Sequence, residues 1–300
     1  MDLPSSGHDP VLLAEIVEHV APRAGQIFVD CTLGRAGHAL EVARLLGPEG
    51  VLVGLDADPR NLEFAAERLK TSPAKVRLFH ANFAQLSEVL KQASIPKVDG
   101  ILADLGISTN QLFDPGYGLS FDRSMPLDMR IDPTSGQSAA HLVNHLPEEE
   151  LANVLYELAQ ERYSRRIARK IVEARRVSPI TNTEALADLV RAAIGNQRSN
   201  ASKIDPATRT FLALRMAVNR EMENLTSLLK QGPNVLANGG RMGVISFQSM
   251  EDRAVKQAFR SLEQTGSVKI VTKKPLSPTS EESARNPRSR SAKLRVIEKN

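Results

Sequence analysis

Apolar positions in the first hundred residues switch repeatedly between two spacings. Val11 to Val20 repeats them with a helical period, and Gln26 to Asp30 is a short apolar run that ends in an acid. His38 to Leu46 is helical again until Gly47-Pro48-Glu49-Gly50 breaks it, and Val51 to Asp56 is a second apolar run ending in an acid. Pro59 to Leu69 predicts a helix with proline in its first turn, Val76 to His80 a third strand, Phe83 to Ala93 a third helix and Val98 to Asp104 a fourth strand. Strands separated by helices at this rhythm predict a parallel sheet with right-handed crossovers, an α/β fold. Ligands of such sheets collect beyond the carboxyl ends of the strands. Asp30, Asp56 and Asp104 all fall there, which makes that edge the place to look for a site.

The rhythm stops near Asn110. Phe113 to Ser138 is rich in Gly, Pro, Asp and Ser and reads as a long loop. Pro147 to Arg176 predicts a long helical region with a break in it, and Thr183 to Ile194 a helix capped by Thr181 or Thr183. The α/β pattern then resumes. Thr210 to Leu229 predicts one helix, Asn238-Gly239-Gly240 a turn, Arg241 to Phe247 a strand and Ala254 to Glu263 a helix. Val268 to Val271 and Leu294 to Ile297 suit a closing antiparallel pair, and Ser277 to Ser291 reads as a polar, mobile segment. The expected organisation is one discontinuous domain, 1–110 with 206–300, interrupted by a helical insertion, 111–205.

Composition adds bounds. With 41% apolar and 25% charged residues, the chain carries enough material for a buried core. A single cysteine, Cys31, cannot form an internal disulfide. The acid in Met1-Asp2-Leu3-Pro4 does not suit a signal peptide, and no apolar stretch approaches the ~20 residues of a membrane span. A cytoplasmic protein without a membrane partner is expected. The net charge is only +4, so the distribution of basic residues says more than their sum. Arg162, Arg165, Arg166, Arg169, Lys170, Arg175 and Arg176 share one helical stretch, and Arg285, Arg288, Arg290, Lys293 and Arg295 form a second cluster. Either could be a solvated surface; together, beside a nucleotide-like site, they point to RNA phosphates.

The loop Asp30-Cys31-Thr32-Leu33-Gly34-Arg35-Ala36-Gly37-His38 follows the first strand and opens a helix, where glycines allow close ligand approach and helix N–H groups are free. Asp56 follows Gly34 at the roughly 20-residue separation of a ribose-binding acid. Two glycines are fewer than a dinucleotide fingerprint requires, which favours S-adenosylmethionine over a nicotinamide cofactor. In Asp104-Leu105-Gly106-Ile107-Ser108, Asp104 could hold the N–H of a base amino group during methylation, bind the cofactor's amino group, or cap a turn. Carbon-5 methylation of a pyrimidine needs a cysteine nucleophile, and Cys31 lies in the cofactor loop instead. The scattered histidines, of which only His141 and His145 share i,i+4 spacing, suggest no metal site.

These pieces, with others in one order, resemble the bacterial ribosomal RNA small-subunit methyltransferase H family, the 16S cytosine-N4 methyltransferases. The resemblance covers nearly the whole chain. It rests on His8-Asp9-Pro10-Val11-Leu12-Leu13, Asp30 to His38, Leu55 to Pro59, Asp104 to Ser108, Pro126 to Pro133, Gly136 to Ala140, Ala207-Thr208-Arg209-Thr210-Phe211, Gly239-Gly240-Arg241, Ser246 to Arg253 and Asn286-Pro287-Arg288. It implies a Rossmann-like methyltransferase sheet with a helical insertion that recognises RNA. The implied reaction is N4 methylation of one cytosine in the decoding region of 16S ribosomal RNA, within a small-subunit particle. Cofactor contacts would come from Gly34, Ala36, Gly37, His38, Asp56, Phe83, Asp104 and Gln111, with Asp104 also catalytic. RNA contacts would come from Arg162, Arg165, Arg166, Arg169, Lys170, Arg209, Arg288 and Arg290. The chain departs from the family pattern at Cys31 and Ala36, where glycines are usual, at Thr109-Asn110, and at Gln248, where histidine is usual. Those departures leave a non-catalytic RNA-binding assembly factor as the competing reading, with a nicotinamide-dependent oxidoreductase third.

Overall fold

A computed structural model describes residues 10–195 and 205–300; His8 and Asp9 of the first motif lie outside the described residues. Two compact units emerge, one of Met1–Gly106 with Met222–Asn300, the other of Ile107–Glu221. The first unit begins with helix α1 (Leu13–His19) and strand β1 (Ile27–Asp30). Then come α2 (Gly37–Leu46), β2 (Val51–Asp56), α3 (Pro59–Leu69), β3 (Lys75–His80), a 3₁₀ turn at Phe83–Gln85 leading into α4 (Leu86–Gln92), and β4 (Val98–Asp104). Helix α3 starts where the sequence requires it, since the Asp58 side chain accepts the Arg60 N–H and Pro59 occupies the first turn.

The second unit is helical: α5 (Thr109–Phe113), α6 (Ala139–His145), α7 (Glu148–Ala159), α8 (Ser164–Arg175), α9 (Thr183–Ile194) and α10 (Thr208–Val218). The helical region 147–176 is broken at Gln160, whose φ of 51° ends α7. Asn182, not Thr181 or Thr183, caps α9 by accepting the Ala185 N–H. Thr183 is used elsewhere: its hydroxyl accepts the Met125 N–H and donates to the Arg123 carbonyl. The single helix expected over Thr210 to Leu229 is two. Asn219 and Arg220 (φ 50°) interrupt it, and the Asn219 amide donates to the Met129 and Arg215 carbonyls while accepting the Ile131 N–H. The unit boundary therefore falls after Glu221 rather than near 205, because Phe211, Ala213 and Leu214 of α10 pack with Leu151 and Leu155 of α7 in the helical core.

The chain returns to the first unit through α11 (Glu221–Val235), β5 (Leu236–Ser246), α12 (Ser249–Gln264), β6 (Val268–Ile270), α13 (Ser280–Arg285) and β7 (Lys293–Lys299). The segment expected to be mobile, Ser277 to Ser291, holds α13 and a 3₁₀ turn, and Glu282 accepts the Leu12 N–H at 2.9 Å. The sheet order is β3-β2-β1-β4-β5-β7-β6, parallel except for β7, which is antiparallel to both neighbours. Alternating residues feed opposite faces. Val29, Val53, Ile101 and Val244 meet α4, α11 and α12, whereas Phe28, Leu52, Leu102 and Ile245 meet α1, α2 and α3. The unit is thus a Rossmann-like α/β sheet covered on both faces, with the ends of β1, β2 and β4 on one edge.

Candidate active site

Because β1, β2 and β4 are adjacent and parallel, their last residues arrive at one edge: Asp30 pairs in register with Gly54 and Leu102, two residues short of Asp56 and Asp104. The loop after β1 ties these tips together. The Cys31 N–H donates to the Leu102 carbonyl (2.8 Å), the Leu33 N–H to the Leu55 carbonyl (2.9 Å), and the Gly34 N–H to Asp56 Oδ2 (2.6 Å). Gly34 has φ +53°, which glycine adopts at little cost, and the space beyond its Cα is open. Ala36 also lies in the left-handed region, at φ 61°, and caps α2, so the alanine keeps a glycine-type backbone there. Cys31 is buried in the core between the strands, as a small packed residue.

Each acid has a distinct setting. Asp30 accepts the Thr32 N–H at 3.1 Å; burial pushes its pKa to about 7, that hydrogen bond opposing and the Asp56 charge adding to the rise. Asp56 accepts from the Gly34 and Asp58 N–H groups and from Asn61, yet burial still lifts it to about 6. Asp104 is fixed through its backbone, its N–H donating to Thr32 Oγ1 at 2.6 Å. Its carboxyl is split: the side chain keeps 26% exposure, but Oδ1 is buried and accepts no hydrogen bond from any described residue. Burial, then the charges of Asp30 and Glu251, push Asp104 to about 8. Glu251, on α12, accepts the Phe247 and Gln248 N–H groups at 2.9 Å through Oε2. Gln248 in turn caps α12 by accepting from the N–H of Glu251, which explains why an amide serves at that position. His38 lies beneath, its Nε2 2.8 Å from the Val11 carbonyl and its Nδ1 3.8 Å from Asp104 Oδ2.

Of the expected cofactor residues, the first unit thus brings together Gly34, Ala36, Gly37, His38, Asp56 and Asp104. Phe83 opens the 3₁₀ turn in the same unit, half-buried against its core. Gln111 belongs to the helical unit, where it is buried and accepts the Ser108 N–H in a capping box. Thr32, Asn61 and Glu251 were not singled out from sequence. Glu251 had a readable signal, a polar N-cap followed three residues later by glutamate; Thr32 and Asn61 had none.

The basic clusters divide. On α8, Ile167, Ala168, Ile171 and Val172 are buried, while Arg165, Arg166, Arg169 and Lys170 are exposed, as is Arg162 just before the helix. Arg175 is structural: it donates to the Val143 and Leu146 carbonyls, both at 2.7 Å. Arg209 is exposed and donates to the Gln160 carbonyl. In the first unit Arg288 is half-buried and Arg290 exposed, but Arg295 and Lys293 pair with Asp252. Among the described residues no cluster of three His, Cys, Asp or Glu side chains suits a metal ion, and no helix is long and apolar enough to cross a membrane.

Residues 5–300 match the profile of the MraW methylase family. The chain belongs to that family. Relatives named ribosomal RNA small subunit methyltransferase H include that of Geotalea uraniireducens, 44% identical over 97% of this chain and 98% of its own. The one from Acidobacterium capsulatum is 45% identical with the same coverage. A putative rRNA-methylase of Clostridium thermocellum aligns over 96% of this chain and 95% of its own at 12% identity and a TM-score of 0.47, too remote to argue from. The cofactor of this MraW-family chain is S-adenosylmethionine. Its acid-lined edge fits that molecule: carboxyls whose ionisation burial suppresses are stabilised by a cation, and the cofactor carries a sulfonium and an ammonium. A dinucleotide pyrophosphate would meet the same carboxylates with repulsion, which counts against the oxidoreductase reading.

Proposed function

We propose that this chain transfers the methyl group of S-adenosylmethionine to N4 of one cytosine in the decoding region of 16S ribosomal RNA, within a small-subunit particle. The observation that carries the reading is the buried Oδ1 of Asp104 at the carboxyl end of β4, which has no hydrogen bond from the described residues. A cytosine amino group is a poor nucleophile because its lone pair is delocalised into the ring. An acceptor held against one N–H draws density back to nitrogen. Asp104 Oδ1 takes that hydrogen bond and then the proton, as N4 gains its new carbon. The cofactor supplies an electrophilic methyl group on a sulfonium that leaves as a neutral thioether. Asp56 holds a ribose hydroxyl through its remaining acceptor capacity, and Phe83 and Gln111 are assigned to the cofactor by the resemblance alone. The base is presented unstacked, and much of the rate comes from alignment.

The exposed face of α8, with Arg162 and Arg209, supplies phosphate contacts from the helical unit, and Arg288 and Arg290 supply them from the sheet unit. The relatives' names support a ribosomal RNA substrate. The assembly-factor reading loses its main motive, because Ala36 keeps the left-handed cap and Gln248 caps α12. The test is mass spectrometry of nucleosides from small-subunit particles that lack this methylation, incubated with the protein and labelled S-adenosylmethionine. Labelled N4-methylcytidine is expected; no label on intact particles, or label on another nucleoside, contradicts the proposal.

A further inference from the structure

The loop after β1 carries a cation that does not serve the acid edge. Arg35 stands between Gly34, whose N–H is bound to Asp56, and Ala36, which caps α2. Its guanidinium nevertheless makes no ion pair with a carboxylate of any described residue. It lies instead over the ring of Phe64 from α3, 4.6 Å from the centroid, and its buried Nε donates to no described residue. Arg68, one helical turn beyond Phe64, brings a second guanidinium to 6.0 Å from the same ring. Its Nη1 donates to the Arg35 carbonyl at 2.7 Å. Arg68 has no acid partner among the described residues either, and the neighbouring Glu67 is turned to Lys70 at 3.6 Å. Phe64 itself is 43% exposed, and holding two cations gives the ring a task that burial does not.

Two positive charges gathered on one ring repel each other, and with no carboxylate between them an anion that reaches both is attracted. A guanidinium with its face on a ring keeps its N–H groups at the rim, the geometry that matches phosphate oxygens. S-adenosylmethionine has no phosphate, whereas RNA carries one at every nucleotide. We propose that Arg35 and Arg68, aligned on Phe64, form a clamp for a backbone phosphate of the substrate RNA beside the cofactor loop. Such a contact contributes affinity and register rather than choice of sequence. Because Arg68 also holds the Arg35 carbonyl, one side chain fixes both the RNA contact and the loop that carries Gly34. The proposal rests on the reading of this chain as an enzyme of ribosomal RNA, and it adds a contact in the sheet unit that neither basic cluster of the sequence contains.

The test is binding to small-subunit particles that lack the methylation, measured from about 50 to 200 mM salt. R35Q removes one charge, and R68Q removes the other while retaining an amide donor for the Arg35 carbonyl. Each variant should weaken binding about threefold to fivefold and flatten the log–log salt dependence by about 0.7 to 0.9 unit, and R35Q/R68Q by about twice that. R35K keeps the charge and should retain the slope. F64L leaves both charges and should also retain it, with binding about twofold weaker because the guanidiniums lose their platform. Cofactor affinity of R68Q, read by calorimetry, should change less than about twofold. Unchanged slopes in R35Q and R68Q overturn the proposal. So does a loss of cofactor affinity with the slope retained, which would make the pair a brace for the loop only. R68Q lies outside the loop and decides the matter if R35Q does not fold. A parent protein that fails to bind the particles would sink the RNA reading itself, whereas parent binding with unshifted slopes in the variants would sink only the clamp.

Discussion

The acid edge of the sheet and the basic face of α8 are built on opposite terms. At the edge, charge is withdrawn from water: Asp30 and Asp56 are buried, Asp104 Oδ1 has no hydrogen bond from the described residues, and the three pKa values rise to about 7, 6 and 8. On α8 charge stays in water, with Arg165, Arg166, Arg169 and Lys170 exposed over an apolar underside. Arg169 touches Glu148 only at 3.6 Å, the kind of exposed pair that contributes little. Buried carboxyls are costly to the fold and sensitive to a few atoms, which suits orientation of a reaction. Exposed arginines are nearly neutral to the fold and act by summed charge, which suits binding a polyanion.

If that contrast is right, substitutions in the two regions fail in different currencies. The largest effect on binding should follow D56A, which removes the acceptor for the Gly34 N–H and the one proposed for the ribose. Cofactor affinity should fall about 100-fold by calorimetry, with thermal stability unchanged or raised. Next comes the triple variant R165A/R166A/R169A. RNA-particle affinity should fall about tenfold at moderate salt, the log–log salt dependence should flatten by about three units, and cofactor affinity should not move. If the salt slope is untouched, α8 is a solvated surface only.

The smallest effect sharpens the acid side. Asp30 has a folded-state pKa above its unfolded value, so both states are protonated only below about pH 4, and the protein is penalised as pH rises from there through about 7, where the folded group ionises. The variant D30N retains an oxygen for the Thr32 N–H and escapes that penalty. Its Tm should exceed that of the parent by about 3 °C at pH 8, on the order of 1 kcal/mol, and the difference should vanish near pH 4. A difference that persists at pH 4 would mean packing, not ionisation, is responsible.

The two regions were also unequally legible in the sequence. The sheet edge was visible because short apolar runs ended in acids at a crossover rhythm, so Asp30, Asp56 and Asp104 could be placed together before any coordinates. What supports them was hidden. Thr32 reaches the Asp104 N–H across 72 positions, and Val11 reaches His38 across 27, contacts that no local pattern encodes. In the helical unit, the pattern found the α8 face but not which of its cations are structural. Arg175 binds two carbonyls of the segment around α6, and the sequence gives it the same appearance as Arg169. The break at Asn219 was missed for a similar reason: the side chain that ends α10 is held by Met129 and Ile131, about 90 residues earlier.

Single-turnover transfer by D104N, at saturating cofactor and on the particle that the parent protein methylates, tests the central claim most directly. Asparagine preserves the shape of the side chain and the Asp104 backbone contact to Thr32 but cannot take the amine proton. Transfer of the methyl group to cytosine N4 should slow by about 100- to 1000-fold with cofactor affinity retained. Transfer at the parental rate would show that the buried carboxyl at the end of β4 is not the acceptor.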